Sequence, residues 1–355
     1  MFILSRLYKI SVQLRAFSYK KKLFKSHRLP CIVISIGNLT AGGTGKTPMT
    51  IYLARLCQRL GYRTVVVCRG YKGQASKQGG IVSDGQTVRM NYVDAGDEPL
   101  MIARLLRDIP VVIGSSRYKA GCLAINRFSP DVIILDDGFQ HLRLSRDINI
   151  LLLDYARPFG NAHLLPRGPL REPFQALKRA DTCIFTRCDS KPSAGHDKAM
   201  QKINFIHGRR PLFKTVHSPI IRGIIPAGTT SPDRLVTNMK IETENIAVYA
   251  FCGLAHNADF RRTLKRLGFQ TVGFSGFPDH YAYTDRDIDT IKTAVISSGA
   301  ELIITSDKDY TRLDSSIKWP TDLVVIGVEI KSKGDERLFD DYIEQRLMAL
   351  KSEIT

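Results

Sequence analysis

Residues 38–47 have the residue types and spacing of a phosphate-binding loop. An apolar run at 31–36, typical of a strand, leads into three closely spaced glycines followed by a lysine and a threonine. Glycine backbone N–H groups can face one concavity, where the start of a helix already attracts anions. In this motif the lysine reaches the β- and γ-phosphates and the threonine hydroxyl binds magnesium. We therefore predict a site for ATP or GTP, with Mg²⁺, formed by Thr40, Ala41, Gly42, Gly43, Thr44, Gly45, Lys46 and Thr47.

One position departs from the usual GxxxxGK(S/T) pattern. Thr40 stands where the first glycine is expected, so we predict a variant loop that enters the phosphate site differently. The alternative is an ordinary glycine-rich turn between a strand and a helix. The strand pattern before the loop and the helical pattern at 49–60 favour the nucleotide site.

A second cluster of chemically active residues follows another apolar run. Asp136 and Asp137 come directly after residues 132–135. In a parallel sheet this strand end lies at the same edge as the phosphate loop, where ligands bind. Because hard cations prefer oxygen ligands, we expect one of the two aspartates, together with Thr47, to hold Mg²⁺. The alternative is a strand that runs into an acidic turn.

The runs that position these residues predict the fold class. They are continuous rather than alternating in polarity, which is typical of strands covered by helices on both faces. We predict an α/β fold: a P-loop NTPase-like, doubly wound, mostly parallel sheet, a second, smaller α/β domain and an N-terminal amphipathic helix. Residues 80–90 predict an appended hairpin. The predicted strands are 31–36, 64–68, 111–114, 132–135, 148–153, 182–186, 246–251, 271–274, 302–305 and 323–328.

The length of 355 residues favours two domains. Pro219, Pro226, Gly228 and Pro232 interrupt any long periodicity, which indicates a hinge between the domains. The expected organisation is a basic amphipathic membrane-interface helix at 1–28, a P-loop kinase domain at 29–213, a hinge or linker at 214–245 and a smaller α/β domain at 246–355.

The charge of the chain is concentrated at its start. The net charge is +18, and residues 1–28 contain eight basic and no acidic residues beside an apolar stripe at near-helical spacing. This pattern is typical of a helix that lies in a membrane interface. The longest apolar run there, at residues 1–4, is four residues, far below the roughly 20 needed to span a bilayer. The alternative is a helix docked on the protein's own core with a solvated basic face.

The sequence does not indicate a nucleic-acid partner, a zinc site or a disulfide framework. The basic arm is apolar and lacks an aromatic-interleaved binding motif, so we expect no nucleic-acid partner. Seven scattered cysteines without a CxxC pair indicate no zinc site or disulfide framework, and they fit a reducing cytosol.

The ordered set of motifs along nearly the whole chain resembles the tetraacyldisaccharide 4'-kinase family of Gram-negative bacteria. The segments that carry the resemblance are 38–48, 96–99 (Gly-Asp-Glu-Pro), 114–118, 136–141, 165–172 and 278–281. The resemblance implies transfer of the ATP γ-phosphate to the 4'-hydroxyl of an acylated glucosamine disaccharide 1-phosphate in lipid A biosynthesis. It also implies a peripheral protein at the lipid surface of the inner membrane, on the cytoplasmic face.

The resemblance also implies roles for individual residues. Asp97 matches the family's catalytic base and His280 the histidine that supports it from the second domain. From the residues alone Asp97 equally fits a helix N-cap, and a lone histidine such as His280 is more often structural. Arg117 could neutralise the transferred phosphoryl group, the alternative being a solvated helix residue. The candidate substrate contacts, which could equally belong to structural turns or a surface loop, are Gln140, His141, Arg167 and Arg171.

A different functional class is a membrane-recruited switch or partitioning ATPase, because residues 42–47 also resemble the deviant loop of those proteins. They carry a signature lysine where this chain has Ala41. The kinase reading is therefore favoured.

Overall fold

The computed structural model describes residues 1–230, 235–237, 243–255, 257–335 and 337–354 and divides into two compact units. Unit 1 comprises Met1–His217 and Ile330–Thr355, and unit 2 comprises Ser218–Glu329. The chain passes from one unit to the other inside strands β8 (Leu212–Ile225) and β12 (Leu323–Ser332).

Unit 1 is built on a mostly parallel sheet. The described strands run in the order β8-β7-β6-β1-β5-β2-β4-β3, and β3 is antiparallel to β4. Their bounds and those of the helices are α1 Phe2–Lys20, β1 Ile32–Asn38, α2 Lys46–Arg59, β2 Thr64–Cys68, β3 Gly80–Ser83, α3 Tyr92–Ala95, α4 Asp97–Leu105, β4 Val111–Ile113, α5 Arg117–Phe128, β5 Val132–Leu135, β6 Ile148–Asp154, β7 Thr182–Thr186, α6 His196–His207 and α10 Arg337–Ile354.

Alternate residues of β1 face two different cores. Ile34 packs in a cluster with α2, α4 and α10, whereas Val33 packs in a cluster with α5. Because successive strand side chains point to opposite faces, helices on both sides are needed to bury this sheet. The doubly wound architecture predicted from the continuous apolar runs is thus confirmed.

Strand β1 lies between β5 and β6, with Ser35 opposite Leu135 and Asn149. The phosphate loop that follows β1 and the acidic residues that follow β5 therefore leave the sheet side by side. This is the arrangement expected for ligand binding at the carboxyl edge of a parallel sheet.

Helix α1 contacts unit 1 through only one of its faces. None of its residues is buried, and the half-buried ones recur at helical spacing: Ser5, Tyr8, Val12, Ala16 and Tyr19 among them. The large apolar residues Phe2, Ile3, Leu7, Ile10, Leu14 and Phe17 are each at least half exposed. At about 100° per residue, the two sets lie on opposite sides of the helix. Within the described residues, no helix is long and apolar enough to cross a membrane.

Unit 2 is a smaller α/β unit. Its strands pair in parallel in the order β10-β9-β11-β12. The bounds are β9 Ala247–Cys252, α7 Asn257–Arg266, β10 Gln270–Gly276, α8 Asp285–Ser298, β11 Leu302–Ser306 and α9 Asp307–Tyr310. The core contains Phe251 and Trp319, whose rings stack at a centroid distance of 5.6 Å.

The expected boundaries differ from these units at two places. Residues 214–225, expected in a linker, belong to strand β8, which includes Pro219, since a strand tolerates proline where no ladder N–H is required. Residues 330–354, expected in the second domain, pack on unit 1 through Phe339, Ile343 and Leu347. Pro232 and the rest of 231–234 and 238–242 lie outside the described residues, so the hinge itself remains a prediction.

Neighbouring residues of α10 provide a test of this packing. Leu347 is fully buried in the core of unit 1, whereas the next residue, Met348, is 58% exposed. We expect Leu347→Ala to lower the free energy of unfolding by about 2–5 kcal/mol, because it leaves a cavity, and Met348→Ala to change it little. Urea titration followed by circular dichroism measures both. Equal effects of the two substitutions would contradict the assignment of α10 to the core of unit 1.

Candidate active site

The phosphate loop (residues 40–47) has a backbone that requires its glycines. Gly42 and Gly45 have φ of 116° and 85°, conformations that other residues rarely adopt. Helix α2 begins at Lys46 with Gly45 as its N-cap, and no side chain caps its first N–H groups. Uncapped amides at a helix start, next to an open glycine turn, are suited to phosphate oxygens.

Asn38, the last residue of β1, holds the loop from inside. Its amide nitrogen donates to Thr44 Oγ1 at 2.8 Å, and its Oδ1 accepts from Lys46 Nζ at 3.4 Å. Lys46 Nζ also lies 3.8 Å from Asp137 Oδ1. The lysine is thus placed between the loop and the acidic strand end, while Thr47 is the half-buried second residue of α2.

The variant position Thr40 has a structural explanation. Its backbone forms an antiparallel bridge with Leu170, and the next residue, Ala41, donates its N–H to the Pro169 carbonyl at 2.6 Å. A bridged, extended residue accepts a Cβ, so no glycine is needed there. The loop enters as a short strand paired with residues 164–171, which we call the bridging segment.

Asp136 and Asp137, the acid pair, differ in environment. Asp136 is buried and accepts a hydrogen bond from Thr50 Oγ1 at 3.0 Å. Burial, followed by the charges of Glu98 and Asp137, raises the pKa of Asp136 to about 7. Asp137 has a left-handed φ of 53° and pairs with Arg171 Nη1 at 2.9 Å. Burial opposes the effect, but Lys46 and then Arg171 lower the pKa of Asp137.

These two carboxylates and the Thr47 hydroxyl are suitable ligands for Mg²⁺. Two adjacent acids, one with a pKa raised by burial and by neighbouring carboxylates, form an oxygen-rich site that a divalent cation would stabilise in its ionised form.

Arg117 is buried, so the alternative that it is a solvated helix residue is wrong. It is 1% exposed, and its guanidinium donates to the carbonyls of Gly114 at 2.9 Å and Asp136 at 3.3 Å. Burial lowers its pKa. Arg117 therefore ties the end of β4 to the acid pair and brings a positive charge close to it.

Asp97 is the first residue of α4 and is 7% exposed. The N-cap is Gly96, with φ 85°, and Asp97 Oδ1 accepts the N–H of Glu98 at 3.0 Å. Because the charge of Glu98 is a leading cause of the raised pKa of Asp136, the start of α4 lies near the acid pair. The role of Asp97 as the catalytic base stays a prediction.

Gln140 and His141 follow the acid pair directly. Gln140 Nε2 donates to the Asn38 carbonyl at 2.8 Å, which fixes the end of β1. His141 lines a cavity of about 280 Å³, and burial followed by the charge of Arg117 lowers its pKa to about 4. The other walls are basic, aromatic or at the start of α5, with one aliphatic residue: Arg15, Tyr19, Ser115, Ser116, Arg117, Tyr118, Arg143 and Leu144.

The two arginines of the bridging segment have separate surroundings. Arg171 pairs with Asp137, and the guanidinium of Arg167 lies 5.2 Å from the centre of the Phe2 ring on α1. Tyr8 and Ser5 of α1 donate to the carbonyls of Arg171 and Leu164, at 3.0 and 2.9 Å. The structure therefore brings Arg171, but not Arg167, to the acid pair.

His280 belongs to unit 2, and its backbone has a φ of 60°. Its Nε2 lies 3.3 Å from Lys308 Nζ, and the same ammonium lies 3.2 Å from Asp279 Oδ1. His280 thus has a defined side-chain environment within unit 2, and its catalytic role stays a prediction.

Sequence reasoning missed several residues that hold the phosphate loop. Thr186 Oγ1 at the end of β7 donates to the Thr44 carbonyl at 3.0 Å, and Arg187 Nη2 donates to the Gly43 carbonyl at 2.6 Å. Their one available signal was their position, with Thr186 ending a continuous apolar strand and Arg187 following it, at the edge where the loop was expected.

A phosphate loop after one parallel strand and an acid pair after its neighbour define a P-loop nucleotide-binding site on a doubly wound sheet. The family model described as tetraacyldisaccharide-1-P 4'-kinase matches residues 1–348. The chain belongs to this family of kinases.

Individual relatives agree with this assignment over most of the chain. Tetraacyldisaccharide 4'-kinase of Syntrophus aciditrophicus is 42% identical over 340 residues, 93% of this chain and 88% of the relative. The enzyme of Desulfatibacillum aliphaticivorans is 38% identical over 97% of this chain and 91% of the relative. The crystal structure of LpxK from Aquifex aeolicus in complex with ATP superposes with a TM-score of 0.76 at 32% identity, covering 98% of each chain.

The raised pKa of Asp136 predicts that replacing it with the neutral asparagine changes the stability of the protein in a pH-dependent way. With a pKa near 7 when folded and about 3.9 when unfolded, Asp136 makes the folded state lose stability as pH rises from about 4 to 7. In metal-free buffer, Asp136→Asn should therefore stabilise the protein more at pH 8 than at pH 5, by about 1–3 kcal/mol. Urea unfolding at both values measures this.

Asp84 is the control for that measurement. Hydrogen bonds from the Thr87 backbone and then from the Arg89 side chain lower its pKa to about 2, so it is ionised at both pH values. The effect of Asp84→Asn should be the same at pH 5 and pH 8. An Asp136→Asn effect that is equally independent of pH would contradict the raised pKa.

Proposed function

We propose that this protein transfers the γ-phosphate of ATP to the 4'-hydroxyl of a tetraacylated glucosamine disaccharide 1-phosphate, a step of lipid A biosynthesis. Family membership supports the reaction, and the site in unit 1 contains the groups that it requires. An anionic, lipid-tailed acceptor suits a chain with a net charge of +18 and an exposed apolar helix.

One observation carries this proposal: the bridging segment joins α1 to the phosphate site. Its Leu170 pairs with Thr40, its Arg171 binds Asp137, and its carbonyls accept hydrogen bonds from Ser5 and Tyr8 of α1. A helix suited to a lipid surface is thus hydrogen-bonded to the same eight-residue segment that holds the nucleotide loop. This continuity is expected of an enzyme whose acceptor is a lipid.

The residues of unit 1 have distinct tasks in the transfer. The loop amides bind the phosphates, and Lys46 stabilises the charge on the β- and γ-phosphates. Asp136, Asp137 and Thr47 would hold Mg²⁺, which neutralises developing phosphate charge when bound. Since phosphoryl transfer depends mostly on alignment and charge neutralisation, fixed cations and amides supply most of what is needed.

The proton of the acceptor hydroxyl goes to a carboxylate. As the 4'-oxygen forms its bond to the γ-phosphorus, the bond between that phosphorus and the β,γ-bridging oxygen breaks, ADP leaves, and Asp97 takes the hydroxyl proton. His280, in unit 2, is the histidine proposed to assist. Its neighbours Lys308 and Asp279 would control its orientation.

The basic cavity of unit 1 is proposed to bind the anionic headgroup of the acceptor. Arg15 and Arg143 contribute two guanidinium groups, and Ser115 and Ser116 precede the start of α5, where backbone amides favour anions. Since Arg15 is part of α1, the cavity is partly walled by the helix that would face the lipid. Arg167, stacked near Phe2, would meet the headgroups at the surface.

The site is proposed to work at the cytoplasmic face of the inner membrane, with the protein bound peripherally through α1. The competing class, a membrane-recruited ATPase switch, makes a different prediction. Its phosphate release responds to a protein partner, whereas the kinase consumes ATP in response to the disaccharide lipid.

The central residues of the mechanism give the first functional test. We expect Lys46→Ala and Asp97→Ala each to lower kcat by about 10²-fold or more, because they remove phosphate stabilisation and the proton acceptor. Asp94→Ala, which alters an acid three residues before Asp97, should leave turnover nearly unchanged. The assay measures phosphorylation of the tetraacyldisaccharide 1-phosphate in detergent micelles with Mg²⁺·ATP. An active Asp97→Ala enzyme would show that the base is misplaced, and no product from the wild type would remove the assignment.

The exposed apolar face of α1 gives the second functional test. Leu7 is 58% exposed on the apolar face, and we expect Leu7→Asp to weaken binding to anionic phospholipid vesicles about tenfold or more through the loss of buried apolar area. Gln13→Asp adds the same charge to α1 without removing an apolar side chain and should have a smaller effect. Vesicle flotation measures both. Equal binding by wild type and Leu7→Asp would contradict the role of this face.

A further inference from the structure

His217, a residue that no motif marks, contacts the phosphate loop. It lies in β8, is the last residue of the first segment of unit 1, and packs its ring against Gly45. A Cβ at position 45 would lie 2.5 Å from His217 Nε2. Gly45 therefore permits two things at once, its left-handed conformation and the close approach of this imidazole.

The hydrogen bonds of His217 fix its tautomer. Arg187 Nε–H donates to Nδ1 at 3.4 Å, so Nδ1 carries the lone pair. Burial, followed by the charge of Arg187, lowers the pKa of His217 to about 4, so the ring is neutral at pH 7. The proton is therefore on Nε2.

That Nε2–H is a buried donor without a partner among the described residues. Buried polar groups are nearly always hydrogen-bonded, and one that is not needs an explanation. The ring has little freedom to find another acceptor, since Arg187 is itself held by the Gly43 carbonyl at 2.6 Å and by Asp154 at 2.9 Å.

The position of the donor indicates which acceptor completes it. It touches the residue immediately before Lys46, in the part of the loop whose backbone surrounds the α- and β-phosphates in this motif. A nucleotide bound at this loop would bring phosphate oxygens, which are anionic hydrogen-bond acceptors, to this position.

We propose that His217 is a nucleotide-binding residue whose Nε2–H donates to an α- or β-phosphate oxygen, and that Arg187 is the positioning residue that orients it. The inference rests on the proposed use of ATP and adds a contact from β8 to it. The donor belongs to the strand that leads out of unit 1, so nucleotide binding and the conformation of that strand would be linked.

The test compares ATP and ADP affinities of the full chain by calorimetry. His217→Phe keeps a ring against Gly45 but removes the donor, and we expect it to weaken ATP and ADP binding equally, by about tenfold. His217→Gln restores an N–H donor and should stay within about threefold of the wild type. The matched control is His207→Phe, because His207 is a buried histidine of unit 1 whose two ring nitrogens both have partners.

Circular dichroism first verifies that each variant is folded. Long-range ¹H–¹⁵N spectra of the histidine-labelled wild type should show the Nε2–H tautomer of His217, with slower exchange of that proton after ATP is added. Three results would overturn the inference alone while ATP still binds the wild type: unchanged affinity of His217→Phe, equal losses in the Phe and Gln variants, or a loss for ATP without one for ADP. Absence of ATP binding by the wild type would overturn the proposed function as well.

Discussion

Two adjacent carboxylates at the end of a buried strand need positive charge, and much of unit 1 is arranged to supply it. Asp136 meets this need by holding its proton up to about pH 7, and Asp137 by pairing with Arg171 and lying near Lys46. Arg117 adds a third cation, anchored on the Asp136 carbonyl. A divalent cation bound with a nucleotide would ionise both acids and leave these cations to the phosphates.

The same constraint explains why the bridging segment is part of the site. Arg171 has to reach Asp137, and the backbone that carries it pairs with Thr40 and Ala41 on the way. The loop is thus held on one side by the bridging segment and on the other by Thr186 at the end of β7 and Arg187 after it. A loop with fixed walls loses less conformational freedom when it binds phosphate.

Local pattern was sufficient for the features that depend on local chemistry. The phosphate loop, the acid pair and the central strands were predictable from Gly42 to Lys46 and from the apolar runs. Four features were not predictable, three of them because they depend on contacts distant in sequence. Thr40 is explained only by its pairing with Leu170, α10 has no marker of the core it joins, and His217 lies 172 residues after Gly45. Strand β8 was not predicted because Pro219 indicated a linker. A proline is excluded only where its missing N–H is needed for pairing, so it does not exclude the strand as a whole.

Helix α1 docks on the rest of unit 1 without using its apolar stripe, so the docking contacts are compatible with the proposed lipid binding. An amphipathic helix that docked through its apolar stripe would leave nothing to enter a membrane. Here the docking face uses the Ser5 and Tyr8 hydroxyls on backbone carbonyls, and the apolar stripe from Phe2 to Phe17 remains exposed. Exposed apolar area of this extent is unfavourable in water and favourable at a lipid surface. Because hydroxyl contacts hold the helix to the segment that also holds the phosphate loop, the proposed binding of the stripe to lipid would place the loop near the lipid surface, where the proposed acceptor would be embedded.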